Sequence, residues 1–290
     1  SLTASELTTI DYADGVNVGN AITIGGTTFN QTGGSATQSG VISGNGSLTK
    51  TGSGSLTLSG ANSFDGLVTL VEGTLVLANN SALGIRSLGT YDGTTVGFAD
   101  GVTIGNTIDL FGTTTFRQTG GSATLSGVVR AGGLTKTGAG NLTLSGNNSY
   151  SGVTTVAEGT LTITNGGALG SLSAGTVVED GATLVLGGSG IVSVGEALTL
   201  TGTGVDGAGA LVSSGPGVRT VTGAITLAGN TLVSTSRGAN YLDLAGSITG
   251  VDTDFTFSSE GLSRISGQLS LGAGILTKTG IGGLRLDGAN

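Results

Sequence analysis

Short runs of alternating apolar and polar residues recur along the whole chain, and most of them end at Gly, Asn, Asp or Ser. Examples are Leu56–Leu58, Val68–Leu70 and Leu198–Leu200, each with Thr at the middle position. A period of two with β-branched residues is typical of strands, and the terminating residues favour turns. No long segment has the apolar spacing of a helix. The pattern therefore predicts an all-β protein built of many short strands.

The chain also repeats itself at a long period. The segment Ser47–Phe64 returns in closely similar form as Gly133–Tyr150, at an offset of 86 residues. A third Leu-Thr-Lys-Thr-Gly begins at Leu276, much further from the second copy at Leu134 than that copy is from the first at Leu48. The third unit is thus longer than the others, and its additional residues fall within about 190–265.

Short strands combined with a long internal period favour a solenoid. A closed barrel of this size requires longer strands, and a sandwich does not require the period. Coils of about 20–25 residues, stacked ~4.8 Å apart, give roughly 12–14 coils. We predict a single parallel β-helix over residues 1–290, with internal units 1–86, 87–170 and an enlarged 171–290.

The two ends of the sequence fall at different points of the repeat. Ser1-Leu2 aligns with Ser87-Leu88, whereas Leu284–Asn290 aligns with the middle of the first unit. We therefore expect the sequence to be a window from a longer periodic protein. The alternative is a true C-terminus at Asn290.

Composition excludes several functions. The chain has no His or Cys, which removes thiolate nucleophiles, Ser-His-Asp triads, disulfides and the usual zinc sites. Its net charge of −8 argues against nucleic acids and anionic membrane surfaces as partners. No apolar stretch approaches the ~18–20 residues of a membrane helix. We predict no cofactor, no metal, no nucleic-acid partner and no membrane insertion within this chain.

The repeated residues carry a family resemblance. Leu-Thr-Lys-Thr-Gly, then Leu-Thr-Leu-Ser-Gly, Glu-Gly-Thr-Leu and Ala-Leu-Gly, in this order, resemble the passenger-associated transport repeat of bacterial autotransporters. Two copies are complete, at about 48–84 and 134–170, and a third is truncated at 276–290. The resemblance implies a right-handed parallel β-helix passenger that is secreted across the outer membrane. It also implies an extracellular or cell-surface location in a Gram-negative-type bacterium.

The lysines of the repeat are candidates for contacts between coils. Glu72 follows Lys50 at the same spacing at which Glu158 follows Lys136. If this spacing is the length of one coil, each Glu lies one coil from its Lys, and we predict two inter-coil ion pairs. The alternative is solvated side chains at turns, and even a formed exposed pair contributes only ~0–1 kcal/mol.

Six aromatic residues occupy equivalent positions in the first two units. They are Tyr12 and Phe98, Phe29 and Phe116, and Phe64 and Tyr150. We predict that these rings stack inside the coils and fill them. The alternative is a sugar-binding stripe of exposed rings.

Carboxylate pairs are the remaining candidates for chemistry, because glycan-cleaving enzymes use two carboxylates. The closest pairs are Asp252 and Asp254, Glu179 and Asp180, and Asp11 and Asp14. Asp252 and Asp254 alternate on a strand-like run of the enlarged unit, where an inserted active site is expected. Acidic residues beside Gly are also expected from turn chemistry alone. We therefore assign no catalytic residue.

These observations favour a non-enzymatic extracellular β-helix, serving as a stalk, an adhesive segment or an element of a surface fibre. One alternative is a subunit that forms filaments by end-to-end stacking, because a solenoid end presents unpaired strand edges. A further alternative is a polysaccharide-degrading enzyme. The expected partners are a second copy of the chain, or surface glycans and host surfaces.

Overall fold

A computed structural model describes residues 1–4, 7–236 and 241–288. These residues form β-strands and one 3₁₀ turn, Val205–Gly207, with no α-helix among them. The strands pair in parallel and stack as a β-solenoid of about 13 turns. This confirms the predicted all-β parallel solenoid and its coil number. The described part also has no helix long and apolar enough to cross a membrane.

The chain divides into two compact units, Ser1–Thr135 and Lys136–Asn290. Their boundary lies within a strand, Val129–Thr137, in the middle of the second sequence repeat. The compact units reflect internal contacts, whereas the sequence units 1–86, 87–170 and 171–290 reflect repetition. Each compact unit is therefore described separately.

In the first compact unit a coil carries up to three strands, and equivalent strands of successive coils pair in parallel to form stacks. Stack A contains β1 (Leu2–Ala4), β4 (Ile22–Ile24) and β7 (Ile42–Gly44). Stack B contains β2 (Thr8–Asp11), β5 (Thr27–Asn30), β8 (Leu48–Thr51), β10 (Val68–Leu70), β12 (Leu88–Tyr91) and the beginning of β15 (Ile108–Arg117). Stack C contains β3 (Asn17–Val18), β6 (Ser35–Gln38), β9 (Ser55–Leu58), β11 (Thr74–Leu77), β13 (Thr95–Phe98) and the end of β15. The remaining strands are β14 (Thr103–Ile104), β16 (Ser122–Leu125) and β17 (Val129–Thr137).

The second compact unit has the same organisation. Stack D contains β20 (Thr154–Val156), β22 (Thr176–Val178), β25 (Leu198–Gly202), the beginning of β28 (Ile225–Thr235), β30 (Ile248–Gly250) and β33 (Leu269–Ser270). Stack E contains β18 (Asn141–Leu144), β21 (Thr160–Ile163), β23 (Thr183–Leu186), β26 (Leu211–Ser213), the end of β28, β31 (Phe255–Ser259) and β34 (Leu276–Thr279). Stack F contains β24 (Val192–Val194), β27 (Val218–Val221), β29 (Tyr241–Leu244), β32 (Leu262–Ile265) and β35 (Leu284–Leu286), and β19 (Ser149–Tyr150) precedes β20.

Alternation within each strand places the apolar side chains inside the coils. Leu48, Val68 and Leu88 occupy the same register in stack B, and all three are fully buried. Leu56 and Leu75 do the same in stack C. Each such side chain contributes about 1.5–3 kcal/mol by leaving water. The short runs of Leu, Val and Ile therefore form continuous columns along the interior.

The corner of Glu-Gly-Thr-Leu requires glycine in both repeats. Gly73 has a φ of 75° and Gly159 a φ of 64°, a region that other residues rarely adopt. A Cβ at Gly159 would lie 2.4 Å from the carbonyl oxygen of Gly138 on the preceding coil. Main chain of one coil thus packs directly on main chain of the next.

We expect Gly159→Ala to lower the free energy of unfolding by about 2 kcal/mol, because it adds a main-chain clash to the strain of a left-handed conformation. Gly181→Ala is the matched control, since Gly181 has a φ of 78° but nothing within 4 Å of its Cβ position. It should cost only about 1 kcal/mol. Urea unfolding followed by circular dichroism measures both, and equal losses would show that the clash is absent.

The 86-residue repeat is not a whole number of coils. Phe29 lies on β5 of stack B, whereas its equivalent, Phe116, lies at the end of β15 in stack C. From β5, stack B advances by four coils, through β8, β10 and β12 to the beginning of β15. One repeat therefore spans four coils and a third, and equivalent residues move to the neighbouring stack.

The enlarged third unit contains additional coils, of which at least one is longer than those of the first compact unit. Lys136 lies on β17, which pairs with β20 of stack D. Stack D then advances by six coils from β17 to β33, and Lys278 follows on β34 of the neighbouring stack E. This separation is six coils and a third, two coils more than in the first repeat. The extra residues that the structure describes thus extend the solenoid.

Candidate functional site

Lys50 and Lys136 point into the solenoid, where both side chains are fully buried. The Lys50 Nζ donates hydrogen bonds to the carbonyl oxygens of Thr51 and Gly52, at 2.7 and 2.6 Å. It also donates to the carbonyl oxygen of Glu72, on the following coil, at 3.2 Å. One ammonium group therefore holds the corner of its own coil to the main chain of the next coil.

We call the three carbonyl groups around a lysine Nζ a lysine cage, and the second repeat reproduces it. The Lys136 Nζ donates to the carbonyl oxygens of Thr137, Gly138 and Glu158 at 3.1, 2.7 and 2.9 Å. The Glu158 carboxylate accepts the Gly138 N–H at 2.8 Å. The structure thus joins each Lys to its Glu across coils through a buried main-chain carbonyl, not on the exposed surface considered from the sequence. Lys278 also donates to the carbonyl oxygens of the two residues that follow it.

The cage changes the acidity of its lysines. Burial lowers the pKa of Lys50 and of Lys136 to about 8, and the charges of Glu72 and Glu158 oppose this shift. The ammonium form is retained at neutral pH because carbonyl dipoles replace its water shell. The interior of the solenoid is therefore held by charge–dipole contacts as well as by apolar packing.

We expect Lys136→Met to reduce the free energy of unfolding by about 2 kcal/mol, because it leaves three carbonyl groups without their buried donor. Lys278→Met is the control, since Lys278 is only half-buried, and it should cost less than about 1 kcal/mol. Thermal unfolding of the two variants and the parent gives the comparison. If the Lys136→Met variant is as stable as the parent, the lysine cage does not stabilise the fold.

Two asparagines of the repeat tie coils together in a similar way. Asn62 is buried; its Oδ1 accepts the Ile42 N–H at 2.8 Å, and its Nδ2 donates to the Ala82 carbonyl oxygen at 2.7 Å. Asn148 donates to the Ala168 carbonyl oxygen at 2.6 Å. Asn62 therefore bridges three successive coils.

Aspartates at the turns bond to the coil that follows. Asp252 accepts the Ala273 N–H at 2.8 Å, and Asp254 accepts the Ile275 N–H at 3.0 Å. Asp14 caps the following coil of the first compact unit in the same manner. These contacts give a structural role to carboxylates that the sequence placed among the candidates for glycan cleavage.

The equivalent aromatic residues pack inside the coils. Tyr12 and Phe29 meet edge to face with ring centroids 5.4 Å apart, and Phe98 and Phe116 repeat this contact at 5.6 Å. All four side chains are buried. Their rings are therefore inaccessible to a ligand in solvent.

Phe64 and Tyr150 are fully buried and lie against glycines. A Cβ at Gly84 would meet the Phe64 ring at 3.2 Å, and one at Gly170 would meet the Tyr150 ring at 3.0 Å. The Tyr150 hydroxyl is 2.7 Å from Thr154 Oγ1. The Ala-Leu-Gly motif thus supplies the space that an aromatic ring of the preceding coil fills.

Sequence reasoning missed a buried arginine in the enlarged unit. Arg219, on β27, is fully buried, and burial lowers the pKa of its guanidinium. Its nitrogens donate, at 2.6 to 3.5 Å, to six carbonyl oxygens, those of Leu186, Gly188, Gly190, Ser214, Pro216 and Val218. A single side chain therefore fixes the corners of two successive coils. The only signal in the sequence is the Gly- and Pro-rich segment before it.

A buried carboxyl group was missed as well. Glu196 is 3% exposed, and Thr176 Oγ1 donates to its Oε1 at 2.5 Å. Burial raises the pKa of Glu196 to about 7, while the hydrogen bond from Thr176 opposes that change. Glu196 lies between Gly195 and Ala197, where the sequence resembles any other turn.

Three polar groups whose pKa values burial displaces, Lys50, Lys136 and Glu196, are thus enclosed in the solenoid. Lys50, Lys136 and Glu196 bond to protein groups inside the coils. Within residues 1–4, 7–236 and 241–288, no group of three or more acidic side chains is placed to hold a metal ion. These contacts are best suited to holding one coil on the next.

The geometry defines a parallel β-solenoid whose coils are joined by recurring Lys, Asn and Gly positions. Residues 48–77 and 134–163 match the family model of the passenger-associated transport repeat. This confirms the resemblance found in the sequence, and each matched segment contains one lysine cage and one Glu-Gly corner. Comparison with curated proteins and with solved structures gave no match.

Proposed function

We propose that this chain is a non-enzymatic structural and adhesive segment of an autotransporter passenger, secreted to the surface of a Gram-negative bacterium. The two passenger-associated repeats and the β-solenoid fold fit such a passenger. The observation that carries the structural role is that the matched segments supply contacts between coils. Lys50, Asn62 and Gly73 each bind or pack against a neighbouring coil.

The composition supports exposure outside the cell. The chain has only 10 Lys and Arg residues in 290, and Lys50, Lys136 and Arg219 are buried. A trypsin-like protease therefore meets few accessible cleavage sites. Because successive coils are bonded to each other, local opening that exposes further sites is also costly.

Two measurements on the purified 290-residue chain test this function. The native chain should resist trypsin for hours, whereas the same chain in urea should be cut within minutes. The chain should release no new reducing ends from a panel of soluble polysaccharides. Rapid cleavage of the native chain would refute the structural role, and catalytic release of reducing ends would refute the non-enzymatic one.

A further inference from the structure

Two aromatic residues differ from the buried ones. Tyr91, at the end of β12, and Phe111, on β15, are 48% and 57% exposed. They face each other in register on stack B, with ring centroids 5.8 Å apart and planes inclined by 50°. The other large hydrophobic side chains exposed on the described part of this protein are aliphatic, so two exposed aromatic rings in contact with each other indicate a binding surface.

The aromatic pair lies beside a glycine, which leaves a flat surface, and beside an ion pair. Phe111 lies close above Gly89, where an added Cβ would meet its ring at 3.1 Å. On the same outer face the Arg130 guanidinium donates two hydrogen bonds to the Asp109 carboxylate, at 2.8 and 3.1 Å. The rings thus adjoin a fixed set of donors and acceptors.

A surface recess of 460 Å³ lies at the beginning of the same two strands. Arg86, Ser87, Asn106 and Thr107 contribute to its walls, and Arg86 is paired with an aspartate. From Ser87 to Tyr91 a strand runs about 13 Å. The recess and the aromatic pair therefore form the two ends of one strip, the β12–β15 strip, with Gly89, Asp109 and Arg130 between them.

The first repeat builds its coils without this strip. The residues equivalent in sequence to Tyr91, Phe111, Asp109 and Arg130 are Ser5, which lies outside the described residues, Gly25, Thr23 and Ser43. The Thr23 and Ser43 hydroxyls are 3.3 Å apart, where the second repeat has an ion pair. Coil stacking therefore does not require these four residues, and all four departures occur on one surface.

The geometry points to a neutral, hydroxyl-rich polysaccharide as the ligand of the β12–β15 strip. The C–H face of a sugar ring packs on an aromatic ring, and its hydroxyl groups bond to fixed charged side chains. Asp65 and Asp109 already neutralise Arg86 and Arg130, so the strip has no free positive charge for an anionic polymer. The net charge of −8 disfavours such a polymer further. This inference rests on the proposed function and gives its adhesive part a ligand class.

Affinity electrophoresis of the full chain tests the inference. Gels contain galactomannan, xyloglucan or dextran as neutral probes, and alginate as the anionic probe. We expect at least one neutral polymer to retard the parent chain and alginate to leave it unaffected. The double variant Tyr91→Ala/Phe111→Ala should lose at least tenfold in affinity for that polymer, and Gly89→Thr should weaken it by filling the flat area.

Controls separate the strip from general surface effects. The variant Val251→Ala/Ile281→Ala removes two side chains that are 85% and 83% exposed elsewhere, and Thr23→Ala/Ser43→Ala alters the equivalent first-repeat position. Both should bind like the parent. The inference fails if no neutral polymer retards the chain, if only alginate does, or if the Tyr91/Phe111 variant binds unchanged. It also fails if that variant abolishes self-association, because the occupant is then a second copy.

The proposed function is tested separately by protease resistance and by the absence of glycan cleavage. A chain that resists trypsin but binds no neutral polymer retains the structural role and loses the ligand. A chain that is rapidly degraded when native loses the structural role whatever its binding.

Discussion

Arg219→Ala is expected to lower the free energy of unfolding of the second compact unit by about 5 kcal/mol. The substitution removes the donor of six carbonyl oxygens that belong to two successive coil corners. Each buried acceptor that loses its partner costs about 1–3 kcal/mol, and part of this cost is recovered when the segments relax toward water. The vacated volume adds a cavity term.

The side chain matters here because the coil that leads to Arg219 is longer than the others. Strand partners on successive coils lie further apart in the sequence there, since Leu211 pairs with Leu184, whereas Leu88 pairs with Val68 in the first compact unit. The added residues form corners whose carbonyl groups point inward and need donors. Arginine suits this position because its planar guanidinium presents five N–H groups in fixed directions.

Urea unfolding and hydrogen exchange measure this effect. Exchange should accelerate most in 186–190 and 214–219, the segments that Arg219 joins. Arg219→Lys keeps the charge but has three donors, so it should fall between the parent and the alanine variant. Arg285→Ala is the control, because Arg285 is 77% exposed and paired with Asp287, and it should change stability by less than about 1 kcal/mol. If Arg219→Ala lowers the free energy of unfolding as little as Arg285→Ala does, the guanidinium does not hold the two coil corners together.

The fold followed from the sequence because its signals recur on every coil. Alternation in Leu56–Leu58 and Val68–Leu70 gives the strands, and the 86-residue offset gives a solenoid. What the offset did not reveal is that one repeat spans four coils and a third. Identical motifs therefore occupy neighbouring stacks, as Phe29 and Phe116 do. Sequence spacing records the length of a coil but not the stack on which a motif falls.

The polar contacts were less predictable. The spacing of Lys50 and Glu72 predicted an ion pair, whereas the bond in the structure is to the Glu72 main-chain carbonyl, which spacing cannot distinguish from a carboxylate. Arg219 and Glu196 occur once each, outside the repeated motifs, so no internal comparison singled them out. Their burial depends on coil corners whose conformation is set by the stacked neighbours. A charged residue inside a solenoid is therefore recognisable from sequence when it recurs, and is otherwise found in the structure.

Glu196→Gln is expected to remove a pH dependence from stability. Burial raises the pKa of the Glu196 carboxyl from 4.5 to about 7. Between these values the folded chain keeps a proton that the unfolded chain has released, so stability falls as pH rises through this window. At 1.36 kcal/mol per unit, the parent should lose about 2.5 kcal/mol relative to the variant between pH 5 and pH 8.

The comparison with glutamine isolates this group. A glutamine side chain at this position would be neutral at every pH and would still accept the Thr176 hydroxyl, so the parent and the variant should be nearly equal at pH 5 and differ at pH 8. Glu179→Gln alters an exposed glutamate nearby in sequence and should leave the pH profile of the parent unchanged. Because Lys50 and Lys136 act in the opposite direction as pH rises above about 8, the measurement stops at pH 8. Parallel profiles for the parent and Glu196→Gln would mean that the carboxyl group is solvated in the folded chain, and the enclosed proton would have to be abandoned.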